Sequence, residues 1–356
     1  MQYNKLGTTD INVSKICLGT MTFGEQCSKD VSNNIMNYAF EKGINFLDTS
    51  EMYPVFPKKE TQGKSEEFIG EWIKEKKIRN KVIIATKITS NHPKIIGSTK
   101  LTWLRKGGPT LRFNKENMNK AIDDSLKRLR TDYIDLYQLH SPERKVAVFG
   151  ELDFKYDPND NDWTPIEEVL DNLNNLVKLG KIRHVGLSNE TPWGILNFLQ
   201  ISKQKNLPRV MSVQNGYSLV NRVFDIANSE VSIKEKCGLL AYSPLAGGRL
   251  SGKYLNGKHS KNSRFALWPK RFARNNTKRG EVAIKKYVKL AEKYNIQPST
   301  LAHAFVFSRP FVTSNVIGVT TKEQLDENIT SSKFNLTKEI IDEIENIHLS
   351  DPNPCV

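Results

Sequence analysis

The stretch GINFLDTSEMY (residues 43–53) decides how the rest of the chain is interpreted. Its first half, from Ile44 to Leu47, is a continuous apolar run, which predicts a strand buried on both faces. Its second half turns polar at once, with Asp48 directly after the run and Tyr53 five residues later. Because a buried carboxylate needs a charged or hydrogen-bonding partner, an acid at this point predicts the edge of a site rather than more core.

Seven further apolar runs lie along the chain and alternate with segments of helical period. Alternating strands and helices favour a parallel sheet, and eight such units predict a (β/α)8 TIM barrel, whose typical length is about 250 residues. A doubly wound sheet is the runner-up, but GTMTFGEQ (19–26) lacks the GxGxxG spacing that such a sheet usually carries after its first strand. The eight strands are predicted at KICLGT (15–20), INFLDT (44–49), KVIIATK (81–87), YIDLYQLH (133–140), IRHVGLSN (182–189), VMSVQNG (210–216), GLLAYSP (238–244) and NVIGVT (315–320).

We find no domain-splitting linker and no repeat of fixed period, so we expect residues 1–356 to form a single barrel domain. Extended βα loops are expected at the C-terminal face of the barrel, where barrel enzymes carry their chemistry. The longest of them are 88–114, 141–164 and 245–279, and long loops at that face are more often functional than idle. Helices are predicted at 31–42, 64–77, 115–130, 165–179, 191–204, 226–236, 280–294 and 322–331.

The composition narrows the class of protein only partly. The 53 Lys and Arg outnumber the 39 Asp and Glu by 14, which permits binding of nucleic acid or anionic ligands. Because the charge is spread out except near 249–279, we expect no nucleic-acid partner. The N-terminus lacks the apolar segment of a secretory signal, and no apolar run reaches the ~20 residues of a membrane span. A cytoplasmic protein without a membrane partner or a metal site is therefore expected, with the oligomeric state left open.

Ionisable side chains end three neighbouring strands at one face of the predicted barrel. Asp48 and Tyr53 follow the second strand, Lys87 ends the third, and His140 ends the fourth. Taken singly, each has an ordinary structural interpretation; as a set they match carbonyl reduction, in which hydride transfer leaves negative charge on the carbonyl oxygen. A tyrosine can protonate that oxygen, and a nearby ammonium lowers the tyrosine pKa from about 10. An aspartate can hold the ammonium, while a histidine orients the substrate oxygen.

Four motifs place these residues in a longer pattern: DTSEMYPVFPKKETQGKSEEFIGEWI, LKRLRTDYIDLYQLH, GKIRHVGLSNETPWG and KYLNG. Through them the chain resembles the aldo-keto reductase superfamily over essentially its whole length, most closely the Tas-like subgroup and more distantly the potassium-channel β-subunits. The resemblance implies reduction of aldehydes or ketones to alcohols, with Tyr53 as general acid, Lys87 and Asp48 tuning it, and His140 orienting the carbonyl. The channel subunits leave an alternative, an NADP(H)-binding redox sensor with little turnover. His140 argues against it, since those relatives carry a different residue there.

The resemblance also implies the cofactor, NADPH or NADP⁺, with NADH less favoured. Ser188, Asn189 and Gln214 would bind the nicotinamide carboxamide, and Tyr242 would stack on the ring. Ser243, Leu245 and Gly247 would contact the pyrophosphate. The full set implied for the cofactor is Thr20, Met21, Ser188, Asn189, Gln214, Tyr242, Ser243, Pro244, Leu245, Gly247, Arg249, Lys253, Arg264, Gly318, Thr320, Gln324, Glu327 and Asn328.

Two positions depart from the family pattern at the adenosine end. Many members carry Lys where Gly318 stands and Arg where Gln324 stands, so the charge that reads the 2′-phosphate must come from elsewhere. The basic loop 249–279 can supply it, with Arg264 as the best single candidate and Lys322, outside the loop, as the second. The other basic residues of the loop are Arg249, Lys253, Lys258, Lys261, Lys270, Arg271, Arg274, Lys278 and Arg279. The substrate pocket is expected between loops 54–60, 88–114 and 141–163, with the plausible walls Trp103, Phe149, Trp163 and Trp193.

Overall fold

Eight parallel strands close into a barrel, and the predicted (β/α)8 fold is confirmed. The computed structural model describes residues 1–92, 101, 103–105, 111–257, 263–270 and 272–356. Two short antiparallel strands precede the barrel, β1 (Tyr3–Lys5) and β2 (Asn12–Ser14). The barrel strands are β3 (Ile16–Gly19), β4 (Phe46–Asp48), β5 (Ile83–Ile88), β6 (Ile134–Leu139), β7 (Ile182–Ser188), β8 (Val210–Gly216), β9 (Gly238–Tyr242) and β10 (Val312–Ile317), with β10 closing on β3.

Helices surround the barrel and begin mostly at residues whose side chains cap them. Ser28, Asn114 and Thr191 each accept a hydrogen bond from a backbone N–H in the first turn that follows, which satisfies one of the donors left open at a helix start. The described helices are α1 (Lys29–Glu41), α2 (Lys64–Lys76), α3 (Lys115–Leu129), α4 (Ile166–Lys178), α5 (Pro192–Lys205), α6 (Asn228–Lys234), α7 (Arg264–Leu267), α8 (Lys278–Lys293), α9 (Pro298–Phe307), α10 (Lys322–Ser331) and α11 (Lys338–Ser350).

Helices α7, α9 and α11 were not among the predicted helices. Helix α9 is buried from Ser299 to Val306, so its sequence lacks the alternation of polar and apolar faces on which a helix prediction depends. Within the described part of the chain, no helix combines the length and the apolar character needed to cross a membrane. That residues 1–356 form a single domain stays a prediction.

The interior of the barrel is apolar at one end and polar at the other. The hairpin β1–β2 closes the apolar end, where Leu6 and Val13 pack on Cys17, Phe46 and Leu136. Successive side chains in a strand point to opposite faces, so the inward position of Phe46 places Asp48 inward too, one step towards the C-terminal end. The register sets Asp48 opposite Ala85 and Lys87 opposite Gln138. The strands therefore place the polar residues of the sequence motifs inside one mouth of the barrel.

Candidate active site

The buried ion pair between Lys87 and Asp48 is the base of the site. Lys87 Nζ lies 2.6 Å from Asp48 Oδ2 and donates a second hydrogen bond to the carbonyl oxygen of Thr49, at 2.8 Å. The Lys87 side chain has no solvent exposure and that of Asp48 only 3%. A buried ammonium needs such compensation, because burial of an unpaired charge is strongly unfavourable.

Tyr53 and His140 lie directly above this pair. The chain turns after β4 so that the Tyr53 ring returns over the barrel mouth, with Lys87 Nζ 5.0 Å from the ring centroid. His140 follows β6 and donates its backbone N–H to the oxygen of Ile88, at 2.9 Å. The rings of Tyr53 and His140 meet edge to face, with their centroids 5.8 Å apart. The structure thus brings together Asp48, Tyr53, Lys87 and His140, although the sequence spreads them over positions 48 to 140.

The protonation states of this group follow from burial and charge. Burial alone would lower the pKa of Lys87, but the charges of Asp48 and Tyr53 more than offset it, so the pKa is raised and the amine stays charged. Burial raises the pKa of Tyr53, and Lys87 opposes that rise without overcoming it. The expectation that the ammonium favours a lower tyrosine pKa is right in direction, but desolvation outweighs it. Tyr53 therefore keeps its proton at neutral pH, as a proton donor must.

Three polar residues support the four: Gln214, which the resemblance implies for the cofactor, and Gln138 and Ser50, which the sequence motifs did not single out. Gln138 and Gln214 both donate from Nε2 to Asp48 Oδ1, at 3.1 and 2.8 Å. Ser50 Oγ lies 3.1 Å from His140 Nδ1, which holds the ring in place beside Tyr53. Gln138 could have been found from the sequence, since it stands two residues before His140 in a strand and two is the period of a strand face.

A cavity of about 1440 Å³ opens from Tyr53 and His140 and continues past the ends of β7, β8, β9 and β10. Pockets that hold drug-sized ligands measure about 300–1,000 Å³, so this cavity has room for a larger molecule and a small substrate together. Of the residues implied for catalysis and the cofactor, those that line it are Asp48, Tyr53, His140, Met21, Ser188, Asn189, Gln214, Tyr242, Ser243, Pro244, Leu245, Gly247, Lys253, Arg264, Gly318, Thr320, Gln324, Glu327 and Asn328.

Three of the implied residues lie behind the lining instead. Lys87 is buried beneath Tyr53, as its contacts require. Thr20 is fully buried, and its hydroxyl contacts the backbone oxygen of Asp48 and the hydroxyl of Ser65. Arg249 is also buried, donating to Asn276 Oδ1 with its guanidinium over the Phe265 ring. Through these contacts Arg249 supports the 245–279 loop.

Amide and hydroxyl groups from β7 to β9 form a connected set on the cavity wall. Asn189 donates from Nδ2 to the backbone oxygen of His140, at 2.8 Å, and accepts from the Tyr242 hydroxyl, at 2.7 Å. Ser188 Oγ donates to the oxygen of Gln214. Such groups can both donate and accept, as recognition of a carboxamide requires, and they adjoin His140 and Asp48.

The turn after β9 brings the backbone itself to the cavity. Ser243 (φ 58°), Ala246 (φ 48°), Gly247 (φ 70°) and Gly248 (φ 99°) all have left-handed backbone conformations. A Cβ atom at Gly247 would lie 3.3 Å from Phe265, so a larger residue would crowd the loop that covers this turn. Turns of this kind expose backbone N–H groups and form concave anion sites, which fits a pyrophosphate.

Arg264 occupies the space that Gly318 leaves open. A Cβ atom at position 318 would lie 3.1 Å from Arg264 Nη2, so the small residue and the guanidinium fit each other. Burial lowers the pKa of Arg264, and none of the ion pairs between described residues includes it. Lys253 lines the same region, and burial followed by the Arg264 charge lowers its pKa as well. Two desolvated cations here would favour a bound phosphate.

The other basic residues named from the sequence differ in whether they line the cavity. Lys270 and Arg274 line the cavity, whereas Lys258, Lys261 and Arg271 lie outside the described residues. Lys322 does not line the cavity, and its ammonium lies 5.4 Å from the Tyr38 ring centroid.

The proposed substrate walls are only partly as expected. Phe149 lines the cavity, and it packs with Trp103 on an apolar cluster that includes Tyr53. Trp163 packs against the outer core instead, and Trp193 is 52% exposed on α5. Of the loop 88–114, positions 93–100, 102 and 106–110 lie outside the described residues. Where the chain is described, no group of three or more His, Cys, Asp or Glu side chains could hold a metal ion.

Comparison with known proteins identifies one family and several relatives. The model of the aldo/keto reductase family matches residues 15–348. The chain is 40% identical to Protein tas of Escherichia coli over 354 residues, 98% of this chain and 98% of that protein. It is 40% identical to an aldo-keto reductase of Babesia bovis over 286 residues, 76% of this chain and 96% of that protein. It is 29% identical over 343 residues to an uncharacterized oxidoreductase, YrpG, of Bacillus subtilis, 96% and 94% of the two chains.

Proposed function

The chain belongs to the aldo/keto reductase family, and on this premise we propose that it reduces aldehyde or ketone carbonyls to alcohols with NADPH. The observation that carries the proposal is the Lys87–Asp48 pair beneath Tyr53, with His140 beside the tyrosine at the wall of a large cavity. We expect the protein to act in the cytoplasm on small-molecule carbonyl compounds and to have no nucleic-acid partner.

The side chains have separate tasks in this reaction. Bound NADPH would supply the hydride. Tyr53 donates its proton to the carbonyl oxygen as negative charge develops there. Lys87 stabilises the phenolate that remains, and Asp48, fixed by two glutamine amides, holds Lys87 in place. His140, held by Ser50, orients the substrate oxygen beside the tyrosine hydroxyl.

We propose a place along the cavity wall for each part of the cofactor. Ser188, Asn189 and Gln214 would hold the carboxamide, and Tyr242 would pack on the nicotinamide ring. The left-handed turn from Ser243 to Gly248 would hold the pyrophosphate. Arg264 and Lys253 would bind the 2′-phosphate, in place of the lysine and arginine that the family pattern has at 318 and 324.

The direct test is turnover. We expect purified protein to oxidise NADPH in the presence of a panel of aliphatic and aromatic aldehydes and ketones, and to use NADH less well. The alcohol product is identified for each carbonyl that reacts. Tight NADPH binding without turnover across the panel would instead support the alternative, a redox-sensing protein.

Arg264 is expected to decide the preference for NADPH over NADH. Arg264→Ala removes a charge-assisted hydrogen bond to the 2′-phosphate, worth about 1.5–3 kcal/mol, so the Kd for NADPH should rise about 10- to 150-fold. The Kd for NADH, which lacks that phosphate, should change little. Both constants are measured by fluorescence titration. Lys322→Ala is the matched control, because it removes a cation that does not line the cavity; an equal loss for both cofactors in Arg264→Ala would contradict the assignment.

A further inference from the structure

Two cations at the cavity wall, Lys270 and Arg274, are used neither by the tetrad nor by the proposed cofactor contacts. Neither forms an ion pair with a described residue, and the segments outside the described residues contain no Asp or Glu that could supply one. The carboxylates among the described lining residues have other partners, namely Asp48 with Lys87, Glu25 with Lys58 and Glu327 with Ser299. The cavity wall therefore carries positive charge that the protein does not neutralise.

Arg274 lies at the substrate end of the cavity. Its guanidinium carbon is 5.0 Å from the centroid of the Phe149 ring, and Phe149 packs on the apolar cluster that includes Tyr53. A Cβ atom at Gly150 would lie 3.8 Å from Arg274 Cβ, so the arginine contacts the same turn with both ends of its side chain. The phosphates of the cofactor are proposed to lie elsewhere, at the ends of β9 and β10.

The turn that carries Phe149 has an uncommon backbone conformation. Phe149 (φ 52°) and Gly150 (φ 102°) are both left-handed, which a bulky residue such as phenylalanine rarely adopts. Strained positions of this kind cluster at ligand sites. An arginine donates its hydrogen bonds in the plane of the guanidinium, so the aromatic ring at the face of Arg274 leaves those donors available to a ligand.

Apolar side chains line the cavity between Tyr53 and Arg274. They belong to Met21, Met52 and Val55, which pack in the same cluster as Tyr53. A substrate that matches this wall has three parts: a carbonyl at Tyr53, an apolar body, and an anionic group at Arg274. A carboxylate suits the last position, because its two oxygens match the paired N–H groups of a guanidinium.

We propose that the preferred substrates are carbonyl compounds that carry a carboxylate at the end remote from the carbonyl, and that Arg274 binds this carboxylate. Lys270 is exposed, so its part is to attract the anion to the cavity. This inference rests on the proposed reductase function and narrows its substrate class. The carboxylate is bound and not altered, so the reaction at the carbonyl is the same.

The test compares substrates that differ in a single charge. The meta and para isomers of carboxybenzaldehyde are each measured against their methyl ester, with NADPH as the reductant. We expect the wild-type kcat/KM to be higher for at least one of the acids than for its ester. The ester group withdraws electrons more strongly than the carboxylate, which makes the aldehyde of the ester intrinsically more reactive. A preference for the acid must therefore come from binding.

Substitution of Arg274 should remove that preference. Arg274→Met keeps an unbranched stem that can pack on Phe149, and we expect it to lower kcat/KM for the preferred acid about 5- to 30-fold, the range of a partly screened charge-assisted hydrogen bond. The loss should appear in KM, because a contact remote from the reacting carbon is equally strong in the ground and transition states. The kcat/KM for the ester and the Kd for NADPH should stay close to wild type. Arg274→Lys, which keeps the charge, should retain part of the preference.

Arg183→Met is the matched control. Arg183 also lies over an aromatic ring, that of Tyr133 at 3.8 Å, but it stands near the start of β7, at the other end of the barrel, so this variant should keep the preference for the acid. If Arg274→Met does not fold, Arg274→Gln takes its place.

The outcomes separate this inference from the proposed function. A wild-type enzyme that prefers neither acid over its ester, or an equal loss for acid and ester in the folded Arg274 variant, overturns the inference and leaves the reductase function intact. A loss confined to the Kd for NADPH would assign Arg274 to the cofactor and also overturn it. Absence of turnover with acids, esters and the wider carbonyl panel would overturn the proposed function itself.

Discussion

Replacing Tyr53 with phenylalanine should lower the kcat for carbonyl reduction by about 10²- to 10⁴-fold, the range that a positioned general acid contributes. The ring itself is held by an apolar cluster with Met52 and Val55, so the variant should keep the shape of the cavity wall. Only the proton donor is lost. Steady-state kinetics with the best carbonyl of the panel gives kcat, and fluorescence titration should show a nearly unchanged Kd for NADPH.

Tyr137→Phe is the matched control for this variant. Tyr137 is fully buried on β6, and its hydroxyl has no hydrogen-bond partner among the described residues. Removing that hydroxyl should leave kcat close to wild type. Wild-type turnover in Tyr53→Phe would show that another group donates the proton.

The same assignment fixes the pH dependence of reduction. Burial raises the pKa of Tyr53 above its ordinary value, with Lys87 opposing, and reduction needs the protonated tyrosine. The rate should therefore stay level through neutral pH and fall only at a pH above about 10, the ordinary tyrosine pKa. Lys87→Met removes the opposing charge, so it should move this alkaline limb to still higher pH while lowering kcat. A limb near neutral pH would contradict this order of effects.

The parts of the molecule that follow from strand period and topology were predictable from the sequence. Parallel strands end at one face, so acids and bases placed directly after apolar runs had to meet there, although Lys87 and His140 lie far from Asp48 in the chain. The partners that loops supply were not predictable in the same way. The contact between Arg264 and Gly318 is made through a loop with no repeating pattern, so strand period did not predict it, and Arg264 was named only through the family resemblance.

The buried ion pair between Arg105 and Glu51 also depends on a loop residue, and breaking it should lower the stability strongly. Glu51 stands between Asp48 and Tyr53, and its Oε1 accepts from Arg105 Nη2, at 2.5 Å, and from the Thr89 backbone N–H, at 2.6 Å. Both side chains are at most 2% exposed. Arg105→Met leaves a carboxylate buried without its counter-charge, so we expect the free energy of unfolding to fall by about 3–5 kcal/mol. Urea unfolding followed by circular dichroism measures it.

A second substitution separates the charge from the packing. Adding Glu51→Gln to Arg105→Met removes the stranded charge, so the double variant should recover most of the lost stability. Lys338→Met is the control for loss of a pair at the surface: Lys338 and Asp342 are 84% and 55% exposed, so its effect should stay below about 1 kcal/mol. If the double variant were as unstable as Arg105→Met, lost packing rather than the unpaired Glu51 charge would be the cause. Because Glu51 belongs to the turn that carries Tyr53, Arg105→Met should also lower kcat, and the double variant should restore kcat together with stability.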